Sequence, residues 1–359
     1  MGYELDFLPV GDDKSGDAIT LRFGNLFGDR NQQTVVVIDG GFKESGTDVV
    51  SHLKTHYGTN RVDLVVSTHP DADHVGGVET ILDQCEVGCL WMHQPWNHTD
   101  DIAKMFKDGR VTDNSVTEAL RKSLDNARAL ERLAQSKEIP IIEPFAGIVD
   151  NSGKIIVLGP TTSFYENLLP GFRGTPGPVA PPGILQKAVS GVVEAVKWVA
   201  ESWGIETLGD DGETSAENNS SVILLVCTDD HYLLLTSDAG IPALMDVVNR
   251  LHGIGFDFSK ITFVQVPHHG SRRNVGPTVL NHLLGPKLAE EKTLRTAYVS
   301  AAENGTPKHP SKKVMNAFRR RGAPVHCTGG VGRCHFNNAP ARIGWSPSVP
   351  LPFYGQVEE

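Results

Sequence analysis

An α/β layered domain is what this sequence predicts, and three observations predict it. Short apolar runs that read as buried strands alternate with segments of helical period along the whole chain. At 359 residues the chain is long enough for a large core, and no internal repeat divides it. Histidine and aspartate residues gather where three of the apolar runs end.

The elements follow in order. Strands are expected near 3–8, 17–23 and 34–38, the last stopped by the turn Asp39-Gly40-Gly41. A helix over 45–57 precedes a strand at 62–67, and a short helix precedes the strand Gly88–Met92. Residues 99–137 read as helical, because Leu120, Leu124, Ala127, Leu130 and Leu133 fall near the helical repeat. Strands return at 139–143 and 154–158. The prolines and glycines of Leu169–Gly183 exclude a regular helix or central strand, so a flexible or extended loop is expected, one that could serve as a lid. A helix at 184–203 and an acidic loop at 209–220 come next. Strands at 221–227 and 231–236 are joined by Thr228-Asp229-Asp230, and a helix starts near 241. Strands at 261–266 and 295–300, a helix at 311–321, and strands near 324–327 and 333–336 complete the reading.

Composition excludes several classes. No apolar run approaches ~18 residues, so no membrane-spanning helix is expected. The opening Met1–Asp6 carries no signal-peptide pattern, and a cytoplasmic protein with no membrane association is the expectation. Five cysteines, with Cys85 and Cys89 four apart and Cys327 and Cys334 seven apart, do not match a zinc ribbon and read as free thiols in a reducing compartment. A net charge of −10 argues against a broad basic surface for duplex nucleic acid. Two local basic runs remain. Arg319-Arg320-Arg321 reads as a solvated helix end favoured by the dipole. Arg272 and Arg273 follow a histidine pair, where a cation could neutralise a phosphate oxygen, with a surface salt bridge as the plain alternative.

The chemistry concentrates in Ser67-Thr-His-Pro-Asp-Ala-Asp-His-Val-Gly-Gly77. His69, Asp71, Asp73 and His74 are four candidate metal ligands directly after the apolar run Val62–Val66. Side chains alternate in an extended loop, so His69, Asp71 and Asp73 can share one side while His74 turns to a second position. Such a cluster suits two metal ions held close together. Helix capping would need one carboxylate and explains neither histidine.

This run resembles the His-x-His-x-Asp-His signature of the metallo-β-lactamase superfamily. It resembles more closely the His-x-Asp-x-Asp-His-x-Gly-Gly variant in the hydrolase domain of the ComEC-type DNA-uptake competence protein and its soluble relatives. Gly16-Asp-Ala18, Leu233–Ala239, Val266-Pro-His-His-Gly-Ser271 and Lys308-His-Pro-Ser311 resemble further segments of that group, in the same order. The resemblance implies an αββα sandwich, as a single domain over 1–359 with an elaborated, mostly helical insertion at roughly 94–217. It implies that His69 and Asp71 bind a first ion, Asp73 and His74 a second, and that Asp238 bridges them. One of His268 and His269 would complete the second site, with His269 preferred because it precedes Gly270. A further superfamily histidine has no counterpart, and Glu217-Asn-Asn-Ser-Ser221 stands in its place, where Asn219 or Asn218 could offer an amide oxygen or a water could fill the gap. Asn219, Ser271, Arg272 and Arg273 are the expected substrate contacts. Asp73 and His309 are the expected aids to the chemistry.

An aspartate at position 71, where the superfamily usually has histidine, adds a hard oxygen donor. That moves preference toward Mn²⁺ or Mg²⁺ without excluding Zn²⁺. The expectation is therefore a metal-dependent hydrolase with two divalent ions, Zn or Mn and with Mg allowed. It would be a phosphodiesterase or nuclease that attacks with a metal-bridging hydroxide, on DNA or a nucleotide. The alternatives are a small-substrate phosphodiesterase, acting on a cyclic nucleotide or phosphocholine-like ester, and a non-catalytic metal-binding accessory module. The sequence identifies no protein partner.

Overall fold

A computed structural model describes residues 1–106, 108–176, 197–305 and 308–359. Two mixed sheets face each other. The first runs in the order Arg333–Asn337, Gly2–Phe7, Ala18–Gly24, Gln33–Gly40, Leu64–Val66, Leu90–Trp91 and Ile141–Ile142. Its first three junctions are antiparallel and its last three parallel. The second runs Val325–Cys327, Thr296–Val299, Ile261–Gln265, His231–Leu235, Ile223–Thr228 and Ile155–Gly159, parallel through its first three junctions.

The period of two along each strand builds the layers. Val36 and Ile38 enter the core between the sheets, while Val35 and Val37 face the helices outside the first sheet. Leu233 and Leu235 point inward from the second sheet, and Leu234 points outward. Both faces are therefore buried, which is why these strands appear in sequence as continuous apolar runs. Phe7, Phe263 and Tyr298 meet at the centre with ring centroids 5.2 to 5.9 Å apart. Helices Ser45–His52, Val78–Gln84, Asp113–Ser123 and Asp125–Ser136 cover the first sheet. Helices Ile241–Gly253, Pro277–Leu284 and Lys312–Arg320 cover the second. The result is the αββα sandwich. With both strand faces apolar, alternation alone does not hold the register; polar strand ends do. Asp39 is one such end, accepting from the Thr68 N–H at 2.8 Å and Oγ1 at 2.6 Å.

Several local expectations change. Within 99–137 the α-helix starts only at Asp113, where Thr112 accepts from the Ser115 N–H and closes a capping box. Leu124 then interrupts it with φ −113 and ψ 48. Between Thr99 and Asp113 the described residues form one 3-10 turn, Ile102–Met105. The helix expected at 184–203 lies outside the described residues up to 196, and Trp198–Ala200 is a strand paired with Gln356–Glu358. That pairing is non-local, so no pattern near residue 200 could announce it. Of the loop expected over Leu169–Gly183, Leu169–Gly171 forms a 3-10 turn and residues 177–183 lie outside the described chain. The loop at 209–220 ends in a short helix, Ala216–Asn219, capped by Ser215. Two strands of the main sheets, Ile141–Ile142 and Ile155–Gly159, lie inside the 94–217 segment.

The triple arginine is not a solvated helix end. Arg320 and Arg321 are 0% and 1% exposed. Arg320 pairs with Glu201 at 2.9 Å and donates to the Ser202 and Ile205 carbonyls, while Arg321 pairs with Glu206 at 2.7 Å. Acidic partners more than a hundred residues upstream make this burial tolerable. No helix among the described residues is long and apolar enough to cross a membrane.

Candidate metal centre

The parallel strands of both sheets deliver their carboxyl ends to one edge, where ligands commonly collect in such sheets. Leu64–Val66 leads to His69 and Asp71, and the turn of helix Ala72–Val75 carries Asp73 and His74. His231–Leu235 leads to Asp238, and Ile261–Gln265 leads to His268 and His269. Asp17 precedes Ala18–Gly24, and Asp39 lies at the end of Gln33–Gly40. The backbone is strained at this edge: Asp39, Ser237, His268 and His269 have φ of 58, 46, 46 and 54. Each such residue costs on the order of 1–3 kcal/mol, and such strain clusters at functional sites. Gly77 is needed for close approach, because a Cβ there would collide with the Gly40 carbonyl.

Asp238 stands at the centre. Its Oδ2 lies 3.8 Å from His69 Nε2 and 3.6 Å from His268 Nε2. Its Oδ1 lies 3.3 Å from His74 Nε2 and 4.0 Å from His269 Nε2. Asp71 Oδ2 flanks the first pair, 3.7 Å from His69 Nε2, and Asp73 Oδ2 flanks the second, 3.6 Å from His269 Nε2. The adjacent histidines 268 and 269 thus part to opposite oxygens of one carboxylate.

A second layer orients the rings. His74 Nδ1 lies 2.7 Å from Asp39 Oδ2. His269 Nδ1 lies 3.0 Å from the Ser300 carbonyl, which only accepts, so Nδ1 carries the proton of that contact and Nε2 faces the cluster. His268 Nδ1 lies 3.0 Å from Asn274 Oδ1 and 2.9 Å from Asn218 Nδ2. Thr68 Oγ1 is 3.2 Å from His69 Nδ1 and 2.7 Å from Ser237 Oγ. Gln265 ties Asp17 in, donating from Nε2 to Asp17 Oδ2 at 2.8 Å while its Oε1 accepts from the Thr236 and Ser237 N–H groups.

Charge is distributed unevenly. Burial and the neighbouring His74 push His69 down to about 3, so it is neutral at physiological pH. Burial opposes charge on His74, but Asp238 and Asp39 outweigh it and hold the imidazole well above its ordinary value. Burial is likewise outweighed at His269, which Asp238 and Asp73 raise to about 9. Asp238 stays ionised well below the carboxylate range despite burial, because His268, His74 and His269 surround it.

These residues fit divalent ions. His69 Nε2, His74 Nε2, His269 Nε2 and Asp238 Oδ1 are buried with no hydrogen-bond partner among the described residues. The 3.3 Å approach of His74 to Asp238 is not aligned as a hydrogen bond. Leaving such groups unpaired costs about 1–3 kcal/mol each, and a cation is the one partner that satisfies all of them together. His69, His74 and Asp238, and separately Asp73, His74 and His269, bring ligand atoms within 4.8 Å of one another.

The other expected residues scatter. The His309 ring is 6.2 Å from His268 and 6.4 Å from His269, and burial with these two neighbours pushes it down to about 4. Ser271 is buried and donates its N–H to the His268 carbonyl at 2.8 Å. Asn218, not Asn219, reaches the histidine pair; Asn219 donates to the Ser215 carbonyl and its Oδ1 is buried without a partner. Arg272 is exposed and donates to the Glu359 carbonyl, and Arg273 is exposed. The arginine that contacts the cluster is Arg173, through Asp71. Sequence reasoning gave no role to Arg173, Glu217, Asp17 or Asp39. Asp17 had a signal in Gly16-Asp-Ala18, and Asp39 in its turn; Arg173 had none. His93 is buried against Tyr165 with ring centroids 4.5 Å apart, and His98 pairs with Glu143 and Glu166.

Comparison with known proteins places this geometry. Residues 27–136, which include the whole Ser67–Gly77 run, match the family described as Metallo-beta-lactamase superfamily. No curated protein matches the chain in sequence. Among solved structures, a diphosphatase of the PhnP family is 9% identical, covering 94% of this chain and 98% of its own, with a TM-score of 0.42. A protein of Thermotoga maritima described as a metallo-beta-lactamase is 12% identical, covering 71% and 93%, with a TM-score of 0.35. Metallo-beta-lactamase SMB-1, bound to 2-mercaptoethanesulfonate, is 7% identical, covering 78% and 86%, with a TM-score of 0.33. Residues 27–136 thus carry the sequence match to the metallo-β-lactamase superfamily, and they lie within the four-layer αββα sandwich.

Proposed function

We propose that the chain is a metal-dependent phosphodiester hydrolase. The observation that carries this reading is the division of Asp238 between two histidine pairs, each flanked by a second aspartate. His69, His268, Asp71 and Asp238 Oδ2 would hold one ion. His74, His269, Asp73 and Asp238 Oδ1 would hold the other. When bound, two divalent ions supply Lewis acidity toward a phosphoryl oxygen and lower the pKa of water toward neutrality.

The chain's own residues do the rest. Asp73, whose side chain is 29% exposed, is the carboxylate at the rim and can accept a proton from the attacking side. His309, neutral at physiological pH, can offer a ring N–H to charge developing on a phosphoryl or leaving oxygen. The partial exposure of Asp71 and Asp73, at 26% and 29%, leaves room for a substrate and disfavours a closed structural site.

The resemblance of the Ser67–Gly77 run to the competence-protein variant supports nucleic acid as the first substrate to try. One observation favours the second reading, a small diester. Arg320 and Arg321 are buried in ion pairs and Arg272 is engaged by the Glu359 carbonyl, so these arginines provide no basic track. The test is hydrolysis of bis(4-nitrophenyl) phosphate by Mn²⁺-, Zn²⁺- and Mg²⁺-loaded protein, beside single-stranded and duplex DNA. Turnover of any diester that requires metal upholds the reading. Metal-loaded, folded protein that cleaves none of them removes it.

A further inference from the structure

Arg173 reaches the rim of the cluster just after the 3-10 turn Leu169–Gly171. Its backbone N–H and its Nε both donate to Glu217 Oε1, at 2.6 and 3.2 Å. Glu217 is 5% exposed and stands on the short helix Ala216–Asn219. At its other edge the guanidinium pairs through Nη2 with Asp71 Oδ1. Nη1 makes no hydrogen bond among the described residues, and the side chain is 48% exposed.

The two oxygens of Asp71 are thus divided. Oδ2 is the one 3.7 Å from His69 Nε2, and Oδ1 is the one Arg173 takes. A cation bound on the His69 side can use Oδ2 and leave the arginine pair standing.

We propose that Arg173, clamped between Glu217 and Asp71, is the phosphate-binding residue of this site and receives a non-bridging phosphate oxygen on Nη1. The assignment rests on the hydrolase reading above. Three features carry it. First, Asp17, Asp39, Asp71, Asp73, Asp238 and Glu217 crowd one edge of the fold, and a fixed cation at the rim adds to bound metal ions in offsetting their repulsion of an anionic substrate. Second, the two arginines that sequence placed near phosphate do not pair with the cluster: Arg272 donates to the Glu359 carbonyl, and Arg273 is exposed with no ion pair among the described residues. Third, a guanidinium fixed on two edges has already lost most of its rotamer freedom, so binding an oxygen on the third edge costs little further ordering.

A plainer role would be to neutralise Asp71 and Glu217. The two roles separate in measurement, because a counter-ion to Asp71 changes metal affinity while a phosphate ligand changes anion affinity. The test uses Mn²⁺-loaded protein and inorganic phosphate as probe, read by calorimetry, with metal content by elemental analysis. Arg173→Gln is expected to weaken phosphate binding about 10–100-fold, the range for one charge-assisted hydrogen bond, with metal content unchanged. KM for bis(4-nitrophenyl) phosphate should rise by a similar factor, with kcat changing less. Arg173→Lys should recover only part, since a lysine keeps the charge but not the fork. Glu217→Gln should produce a smaller rise in KM through looser positioning.

Unchanged phosphate affinity in a fully metallated Arg173→Gln protein overturns the proposal. So does a loss of metal whose repair with excess Mn²⁺ restores phosphate affinity, and so does wild type that binds no phosphate. Phosphate binding needs no turnover. Wild type that binds phosphate through Arg173 yet hydrolyses no diester upholds the assignment and sinks the hydrolase reading alone.

Discussion

His74 is clamped between two carboxylates: its Nδ1 lies 2.7 Å from Asp39 Oδ2, and its Nε2 lies 3.3 Å from Asp238 Oδ1. Asp39 also accepts from the Thr68 N–H and hydroxyl, so one buried side chain orients both the histidine and the loop that carries His69. Partners of this kind tune metal affinity by about 10–100-fold. Asp39→Asn should therefore weaken metal binding by about that factor while the protein still folds. A metal titration that matches wild type would mean that the Asp39 charge does not reach the ligands.

Asp238→Ala should remove both ions. The proposal that each oxygen serves one histidine pair requires about two ions per wild-type chain and none in the variant. Elemental analysis after Mn²⁺ or Zn²⁺ reconstitution decides it. One retained ion in the variant would show that the sites are independent, and a metal-free wild type would end the idea.

Metal uptake should depend steeply on pH. In the metal-free protein His269 is raised to about 9 and His74 lies well above its ordinary value, so both hold protons at neutrality. Binding must expel them, and affinity should rise up to about tenfold per pH unit for each proton displaced, between roughly pH 6 and 9. The stability of the metal-free chain runs the other way. A histidine whose pKa is higher folded than unfolded stabilises fully below about 6.5 and loses that contribution as pH rises through about 9. Calorimetry in two buffers of different ionisation enthalpy should show proton release at pH 7; equal heats in both would contradict this protonation pattern.

His309→Ala should lower turnover about 10–100-fold and leave metal content intact, because its ring sits beyond the histidine pair at 6.2 and 6.4 Å. Loss of metal would make it a ligand. Kinetics equal to wild type would leave it only an entry residue for helix Lys312–Arg320.

Arg320→Ala should destabilise the fold without touching the cluster. It would leave Glu201, whose side chain is fully buried beside it, without its ion-pair partner, at a cost of about 3–5 kcal/mol. Denaturant unfolding measures this, and a change below about 1 kcal/mol would show that water reaches Glu201.

The parts of this protein legible in sequence are the local ones. Val35 to Ile38 and Leu233 to Leu235 read as strands because both faces of each are buried, which leaves an unbroken apolar run. His69, Asp71, Asp73 and His74 stand out because they fall within six consecutive positions. Local signals also misled. The leucine spacing over 99–137 could not reveal that no α-helix precedes Asp113 among the described residues of that stretch, because a single cap at Thr112 decides the start. Trp198–Ala200 became a strand only because Gln356–Glu358 lies beside it. Tertiary structure alone split His268 from His269, brought Asp17 and Asp39 to His74, buried Arg320 and Arg321 against Glu201 and Glu206, and laid Arg173 on Asp71. The physical reason is common to all of these. Apolar burial writes a periodic pattern along each strand and helix, whereas an ion pair or hydrogen bond between distant residues depends on sheet order and leaves no period in the chain.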